Sequence, residues 1–296
     1  MRQRTITAIF FTLFMLGGIY GGYLYGGKYT FYLLFVLITA GCLWELMEML
    51  VPKEERFRKF RKIAGSMVGL LPVMWFGSRV FLYAVFCGLS TEEEIVSGFY
   101  AAHYESVAEI VVLLSLVVSM LFIVELFLAG KSPFSQIVHY LTGLFYIGIP
   151  VCFLFSITAA PDASYYPNRV LGLLLLVWTN DTGAYLFGRA FGKHKLFERI
   201  SPKKTWEGTI GGGIFAVLIV WGLSFVIQDF TLRQWLALSV VAAIGSNLGD
   251  LVESMLKRSV GVKDSGTLLP GHGGLLDRFD AFIFCLPFYW LVLQLV

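Results

Sequence analysis

The chain has 296 residues, of which 57% are hydrophobic and only 15% charged, with a net charge of +3 and a mean hydropathy of +0.74. Soluble domains carry about 25% charged residues, so this composition excludes an ordinary soluble fold. Apolar runs of roughly 20 residues suit helices that cross a hydrocarbon core of about 30 Å, and the short alternating segments of a membrane β-barrel are absent.

The fold expected is therefore all-α: a polytopic integral membrane helical bundle with about nine transmembrane helices. Run length places the spans near 5–25, 29–50, 64–87, 106–129, 136–159, 168–190, 208–228, 232–256 and 276–296. The first run is too long for a signal-peptide core and lacks a small-x-small cleavage site, so it reads as a retained span. Within it, GGIYGGYLYGG repeats small residues at four-residue spacing, which suits close helix packing. Cys42, Cys87, Cys152 and Cys285 stand singly, with neither zinc spacing nor a disulfide framework.

Basic residues mark the cytoplasmic side of a membrane protein. They cluster in PKEERFRKFRK (Lys53 to Lys62), from Arg189 to Lys204, and at Lys257, Arg258 and Lys263. The segment LSTEEEIVSGFYAAHYES contains no Lys or Arg. With nine spans this pattern predicts the N-terminus inside and the C-terminus outside. Two parts differ in character. Residues 1–160 read as membrane helices serving as scaffold, and 161–296 as catalytic membrane helices with cytoplasmic loops.

The polar residues of the second part fall into four groups. In TNDTGAYLFGRAFGKHK, Asp181, Tyr185, Gly188 and Arg189 share a helical face. An intramembrane carboxylate is costly unless paired, solvated or metal-bound, so Asp181 either pairs with Arg189 or another helix, or belongs to a site. In SPKKTWEGTIGGG, Ser201, Lys203, Lys204 and Thr205 precede a glycine-rich helix start. Positive charge beside free helix N–H groups suits phosphate, although lipid headgroups satisfy the same lysines.

In GSNLGDLVESMLKRSVGVKD, Asn247, Asp250, Ser254 and Lys257 align on one face, flanked by Ser246 and Glu253. Asp250 and Asn247 supply hard oxygen donors of the kind Mg²⁺ prefers; a buried interhelical hydrogen-bond cluster is the alternative. Finally, KDSGTLLPGHGGLLDRFD places Asp277 and Asp280 one turn apart at a helix start. The helix dipole alone favours carboxylates there, but not the preceding PGHGG. Its Gly271, Gly273 and Gly274 permit close backbone approach to a ligand, and His272 can donate to phosphate. Carboxylates, cations and glycine loops together suit a metal–polyphosphate complex better than a simple anion site or a cation channel.

Ser254, Lys257, Arg258, Lys263, Asp264, Gly266, His272, Gly273, Gly274, Asp277, Arg278 and Asp280 resemble, in register, the signature of phosphatidate cytidylyltransferases, also called CDP-diacylglycerol synthases. SPKKTWEG and the Asp181–Tyr185–Gly188 pattern are similar to the family too, and the resemblance extends over roughly residues 175–285. It implies Mg²⁺-dependent transfer of CMP from CTP to phosphatidate, giving CDP-diacylglycerol and pyrophosphate, in phospholipid biosynthesis. A bacterial-type inner or plasma membrane is implied, with the active site facing the cytoplasm and membrane lipid around it. No nucleic acid is expected, and the oligomeric state stays open, a homodimer included.

On that resemblance the metal ligands are Asp250 and Asp277, with Asp280, Asp264 and Asp181 as further candidates and carboxylates enough for a second metal ion. Lys203, Lys204, Lys257, Arg258, Lys263 and Arg278 are expected on substrate phosphates, and His272 on the leaving pyrophosphate. Ser201, Thr205, Ser254, Gly273 and Gly274 are expected along the nucleotide. A CTP-dependent lipid-alcohol kinase and a membrane transporter are the alternatives.

Overall fold

The structure is a computed structural model that describes residues 2–24, 29–86, 92–128, 132–159, 165–269 and 273–296. It is almost entirely helical, as the composition requires. The helices are α1 (Arg2–Leu24), α2 (Tyr29–Leu50), α3 (Arg58–Phe86), α4 (Glu92–Leu128), α5 (Pro133–Gly143), α6 (Ile149–Thr158), α7 (Pro167–Phe191), α8 (Trp206–Leu223), α9 (Leu232–Ser259) and α10 (Leu276–Leu295). A π-helical turn, Leu144–Gly148, joins α5 and α6 into one rod, Pro133–Thr158.

Each of the nine expected spans falls on one of these rods. Among the described residues, six helices are long and apolar enough to cross a membrane: Tyr29–Leu50, Val107–Leu128, Pro133–Thr158, Pro167–Phe191, Trp206–Leu223 and Leu232–Ser259. α1, α3 and α10 fall outside that set. α1 has an apolar stretch of only Ile9–Gly21, α3 opens on a basic turn, and α10 opens on Asp277, Arg278 and Asp280. The chain is a polytopic membrane protein on this architecture. Leu126 and Phe127 on α4 and Leu218 and Trp221 on α8 point outward, which is the arrangement lipid permits and water penalises.

The chain divides into two compact units. The first comprises residues 1–165 together with Ser265–Leu276. In it α3 is the hub, packed against α2, α4, α5 and α6. α1 meets α2 where Gly18 faces Leu34, so that small-residue face does serve packing. The π turn occurs where Gly148 lies directly on the Gly69 carbonyl of α3.

The first unit also holds charge that the hydropathy pattern hides. Arg61 is fully buried; its guanidinium donates to both Glu125 oxygens, at 3.1 and 2.6 Å, and pairs with Glu55. Tyr140 Oη donates to Glu125 Oε1 at 2.7 Å, so the network ties α3, α4 and α5. A second buried carboxylate, Glu45 on α2, accepts from Ser265 Oγ at 3.2 Å and from the Leu276 amide at 2.9 Å. A Cβ on Gly266 or Gly274 would stand 2.4–2.6 Å from that carboxylate, so both positions require glycine for space. The signature glycines thus serve at least in part to seat Glu45.

The second unit comprises Tyr166–Asp264 and Asp277–Val296. α7 and α8 pack backbone to backbone: a Cβ on Gly212 would lie 2.6 Å from the Asn180 carbonyl, and one on Gly208 2.7 Å from that of Ala184. α9 meets α10 at Gly245 and Gly249, which face Cys285 and Ala281. Between α7 and α8 runs a short antiparallel hairpin of β1 (Lys195–Phe197) and β2 (Ser201–Thr205). The basic stretch is thus paired backbone and not open loop.

Removing one partner of a buried ion pair strands the other charge, at a cost of about 3–5 kcal/mol, whereas an exposed pair is worth about 0–1 kcal/mol. Glu125→Ala should therefore lower stability by about 3–5 kcal/mol. Glu109→Ala, which removes the half-exposed partner of the half-exposed Arg79, should change it by less than about 1 kcal/mol. Equilibrium unfolding in detergent micelles checks both.

Candidate active site

The hairpin is held in one conformation by α8. Thr205 is the helix N-cap, its Oγ1 accepting from the Gly208 amide at 3.2 Å. Glu207, in the first turn, accepts from the amides of Lys193 and His194 and sits 2.6 Å from His194 Nδ1. These contacts, with the Trp206 amide on the His194 carbonyl, present Lys203 and Lys204 at the mouth of the α8 N-terminus. Glu207 was not among the expected site residues. An acidic residue in the first turn of a helix, which the dipole favours, is the only signal for it in the sequence.

Beneath the hairpin lies a cavity of about 310 Å³ lined by α7, β2, α8 and α9. Asp181, Tyr185, Gly188 and Arg189 come from α7, and Lys203, Lys204 and Thr205 from β2. Gly208 and Thr209 belong to α8, Asn247 and Asp250 to α9. The expected face of α7 thus meets the basic stretch and the α9 stripe in one place. Lys204 Nζ pairs with Asp250 Oδ2 at 2.7 Å and donates to the Asn247 carbonyl at 3.3 Å. Asn247 Nδ2 donates to the Ala243 carbonyl at 2.8 Å, and Thr209 Oγ1 to Asn247 Oδ1 at 3.4 Å. Asn180 Nδ2 on Ser246 Oγ, 2.5 Å, joins α7 to α9 behind Asp181.

The other half of the α9 stripe does different work. Lys257 Nζ lies between Glu253 Oε2 at 2.5 Å and Asp277 Oδ1 at 2.6 Å. One buried ammonium therefore ties the end of α9 to the start of α10. Asp280, one turn on, is buried beside Glu253. α9 ends in a Schellman turn: Gly261, at φ 72°, and Val262 donate to the carbonyls of Arg258 and Lys257. Arg258 Nη1 closes it on the Val262 carbonyl at 2.9 Å. Lys263, Asp264 and Arg278 are exposed, and Ser254 is half-buried on α9 outside the cavity lining. Ser201 begins β2, opposite Phe197. Gly273 bridges to Leu269 in the first unit. His272, Gly271 and Cys87 lie outside the described residues.

Of the candidate metal carboxylates, Asp181 stands on α7, Asp250 on α9 and Asp277 and Asp280 on α10, with Asp250 close enough to Asp280 to interact electrostatically, while Asp264 is exposed after α9. Among the described residues no three acidic, His or Cys side chains converge on a single point. Asp181 and Asp250 line the same cavity, close enough to interact electrostatically, with the Asn247 amide oxygen nearby. Two carboxylates with room for phosphate oxygens fit Mg²⁺, which commonly uses one or two protein carboxylates and completes its octahedron with water and substrate.

Set against known proteins, the sequence matches the model of the Cytidylyltransferase family over residues 2–296. The chain belongs to the cytidylyltransferase family. It is similar to the phosphatidate cytidylyltransferase of Staphylococcus haemolyticus, with 46% identity over 160 residues, covering 53% of this chain and 59% of that protein. The protein of the same name from Staphylococcus aureus (strain COL) is 43% identical over 183 residues, covering 60% and 68%. That from Staphylococcus saprophyticus is 45% identical over 160 residues, covering 53% and 59%. The matched stretch thus spans about three fifths to two thirds of these relatives.

Membership does not by itself explain the buried lysine of α9. Lys257→Met should remove the ammonium that Glu253 and Asp277 share and cost about 3 kcal/mol or more. The double change Lys257→Met with Glu253→Gln should recover part of that loss. A double-mutant cycle on thermal stability measures it.

Proposed function

We propose that this member of the cytidylyltransferase family transfers CMP from CTP to phosphatidate, giving CDP-diacylglycerol and pyrophosphate. The observation that carries the reading is the Lys204–Asp250 pair at 2.7 Å in a cavity that also holds Asp181, Arg189 and Lys203. A polar cavity with both signs of charge, at the ends of lipid-facing helices, suits a reaction between a soluble polyanion and a lipid phosphate. The similarity to phosphatidate cytidylyltransferases of Staphylococcus supports the same substrates.

In this mechanism a phosphatidate phosphate oxygen attacks the α-phosphorus of CTP. A new P–O–P bond forms, the α–β bridge breaks, and pyrophosphate leaves. The nucleophile is already ionised at neutral pH, so no general base is required, and the work is positioning and charge neutralisation. Lys203, Lys204 and Arg189, with the amides at the α8 N-terminus, would receive phosphate oxygens. Asp181 and Asp250 would hold Mg²⁺, which would supply charge neutralisation for the substrate phosphates.

In this reading Asp250 orients Lys204 until substrate arrives. Lys257 keeps Asp277 fixed at the root of α10. Arg258, Lys263 and Arg278 add positive potential along the cytoplasmic edge, and His272 orients pyrophosphate. Asp264, Asp277 and Asp280 are the alternative ligands, a second metal ion among them. The basic segments support a site on the cytoplasmic side, with the N-terminus inside and the C-terminus outside. A reporter fused to the C-terminus and active only in the cytoplasm should be silent.

Purified protein given α-labelled CTP and phosphatidate should yield labelled lipid and lose that activity in EDTA. Release of CDP with no labelled lipid would instead indicate a kinase. Asp250→Asn should lower kcat by about two to four orders of magnitude with the protein still folded. Lys204→Ala should raise the KM for CTP or lower kcat by at least about tenfold. Near-normal kinetics in both variants would remove the cavity from the mechanism.

A further inference from the structure

A second cavity, of about 430 Å³, lies between α8 and α9. Its lining is almost wholly aliphatic: Gly213, Ile214, Val217 and Leu218 of α8 face Val240 and Ala243 of α9. Ser239 also borders it, but the Ser239 hydroxyl is committed to the Leu236 carbonyl at 2.7 Å. Ile214, Leu218 and Val240 are more than half exposed, so the groove opens outward along its length.

The position of this groove is what gives it meaning. Thr209 lines both it and the polar cavity of the candidate active site. The register of the two helices follows from two contacts. Thr209 meets Asn247, and four residues on, a Cβ at Gly213 would meet the Ala243 side chain at 3.0 Å. α8 and α9 are therefore antiparallel here, and the polar and apolar cavities lie end to end along one helix pair. Towards the α8 N-terminus the pair presents Thr205, Gly208, Asn247 and Asp250; beyond Thr209 it presents only hydrocarbon and small side chains.

The absence of side-chain bulk at Gly213 and Ala243 makes the floor of the groove. From Thr209 to Leu218 the helix rises about 14 Å at 1.5 Å per residue. That is close to half of a hydrocarbon core of about 30 Å, the depth of one leaflet.

We propose that this groove holds one acyl chain of the phosphatidate substrate, with the lipid phosphate in the polar cavity at its head. The proposal rests on the reaction assigned above, and it adds where the lipid lies and which residues read its chain. An amphiphile whose phosphate sits among Lys203, Lys204 and Asp250 has to send its tails somewhere. The groove is the apolar continuation of that cavity and runs the depth of the leaflet from which the lipid comes. Fixing one tail would align the phosphate oxygen towards CTP, an orientation that a headgroup held by ion pairs alone lacks.

The test has a binding arm that does not depend on turnover. Wild-type protein in phosphatidylcholine nanodiscs is irradiated with phosphatidate carrying a diazirine in one acyl chain, and labelled peptides are mapped. Labelling is expected at Val217, Leu218 or Val240, displaced by unlabelled phosphatidate and not by further phosphatidylcholine. Equal labelling by a phosphatidylcholine probe, or labelling elsewhere, would mean that the groove carries bulk lipid, and the proposal fails.

The kinetic arm blocks the far end of the groove, about 12 Å from Thr209 at 1.5 Å per residue and beyond the reach of an octanoyl chain, with Val217→Trp, and with Leu218→Trp should the first variant not fold. The KM for a dioleoyl substrate should rise about tenfold, and that for a dioctanoyl substrate much less. The KM for CTP should stay within about twofold, as should all constants of Ile219→Trp, which projects from α8 outside the groove. Equal effects on both chain lengths would overturn the proposal. Wild-type protein that labels in the groove yet makes no CDP-diacylglycerol would leave the binding site standing and strike the reaction instead.

Discussion

Charge inside an apolar bundle is tolerated only when a partner offsets the loss of hydration, and much of this molecule is arranged around that constraint. The Lys257 ammonium shows it most directly. Two carboxylates from two helices share it, and without it the end of α9 and the start of α10 would repel one another. Lys204 and Asp250 obey the same rule at the edge of the cavity, as do Arg61, Glu55 and Glu125 within the first unit. The difference lies in accessibility. Arg61 and Glu125 are sealed and serve the fold, whereas Lys204 and Asp250 are partly exposed beside a cavity where an incoming phosphate or metal ion can exchange with them.

Glycine is the second instrument, and it acts through space more than through unusual dihedral angles. Gly208 and Gly212 let α8 lie against the backbone of α7, which brings Asp181 to the same cavity as the hairpin lysines. Gly266 and Gly274 leave room for Glu45, so a first-half helix grips the segment that leads into α10. Within the first unit, Glu45 thus accepts the Leu276 amide at 2.9 Å. Gly213 acts by what it omits, leaving a groove where two helices of ordinary composition would interlock.

Helix positions, membrane character and the polar stripe of α9 were legible because each rests on local periodicity. A run of twenty apolar residues has few alternatives to a helix in lipid, and Asn247, Asp250 and Lys257 share a face whatever surrounds them. The match of so many polar positions to one signature made the family legible as well. The hairpin was not, since SPKKT has no strand alternation; it is set by the Thr205 cap and the Glu207 contacts from the following helix. Glu45 was equally silent, because a single carboxylate in a hydrophobic run does not announce a partner 231 residues away.

Residue order alone settled that this is a helical membrane protein with a charged, glycine-rich second half suited to metal and phosphate, because helix periodicity and transfer free energy are local properties. Only the folded arrangement decided which charges meet. It paired Lys204 with Asp250 and Lys257 with Asp277, and set an apolar groove end to end with a polar cavity. Those outcomes depend on how closely helices approach at a few glycines, a distance fixed by both partners at once and written in neither segment by itself.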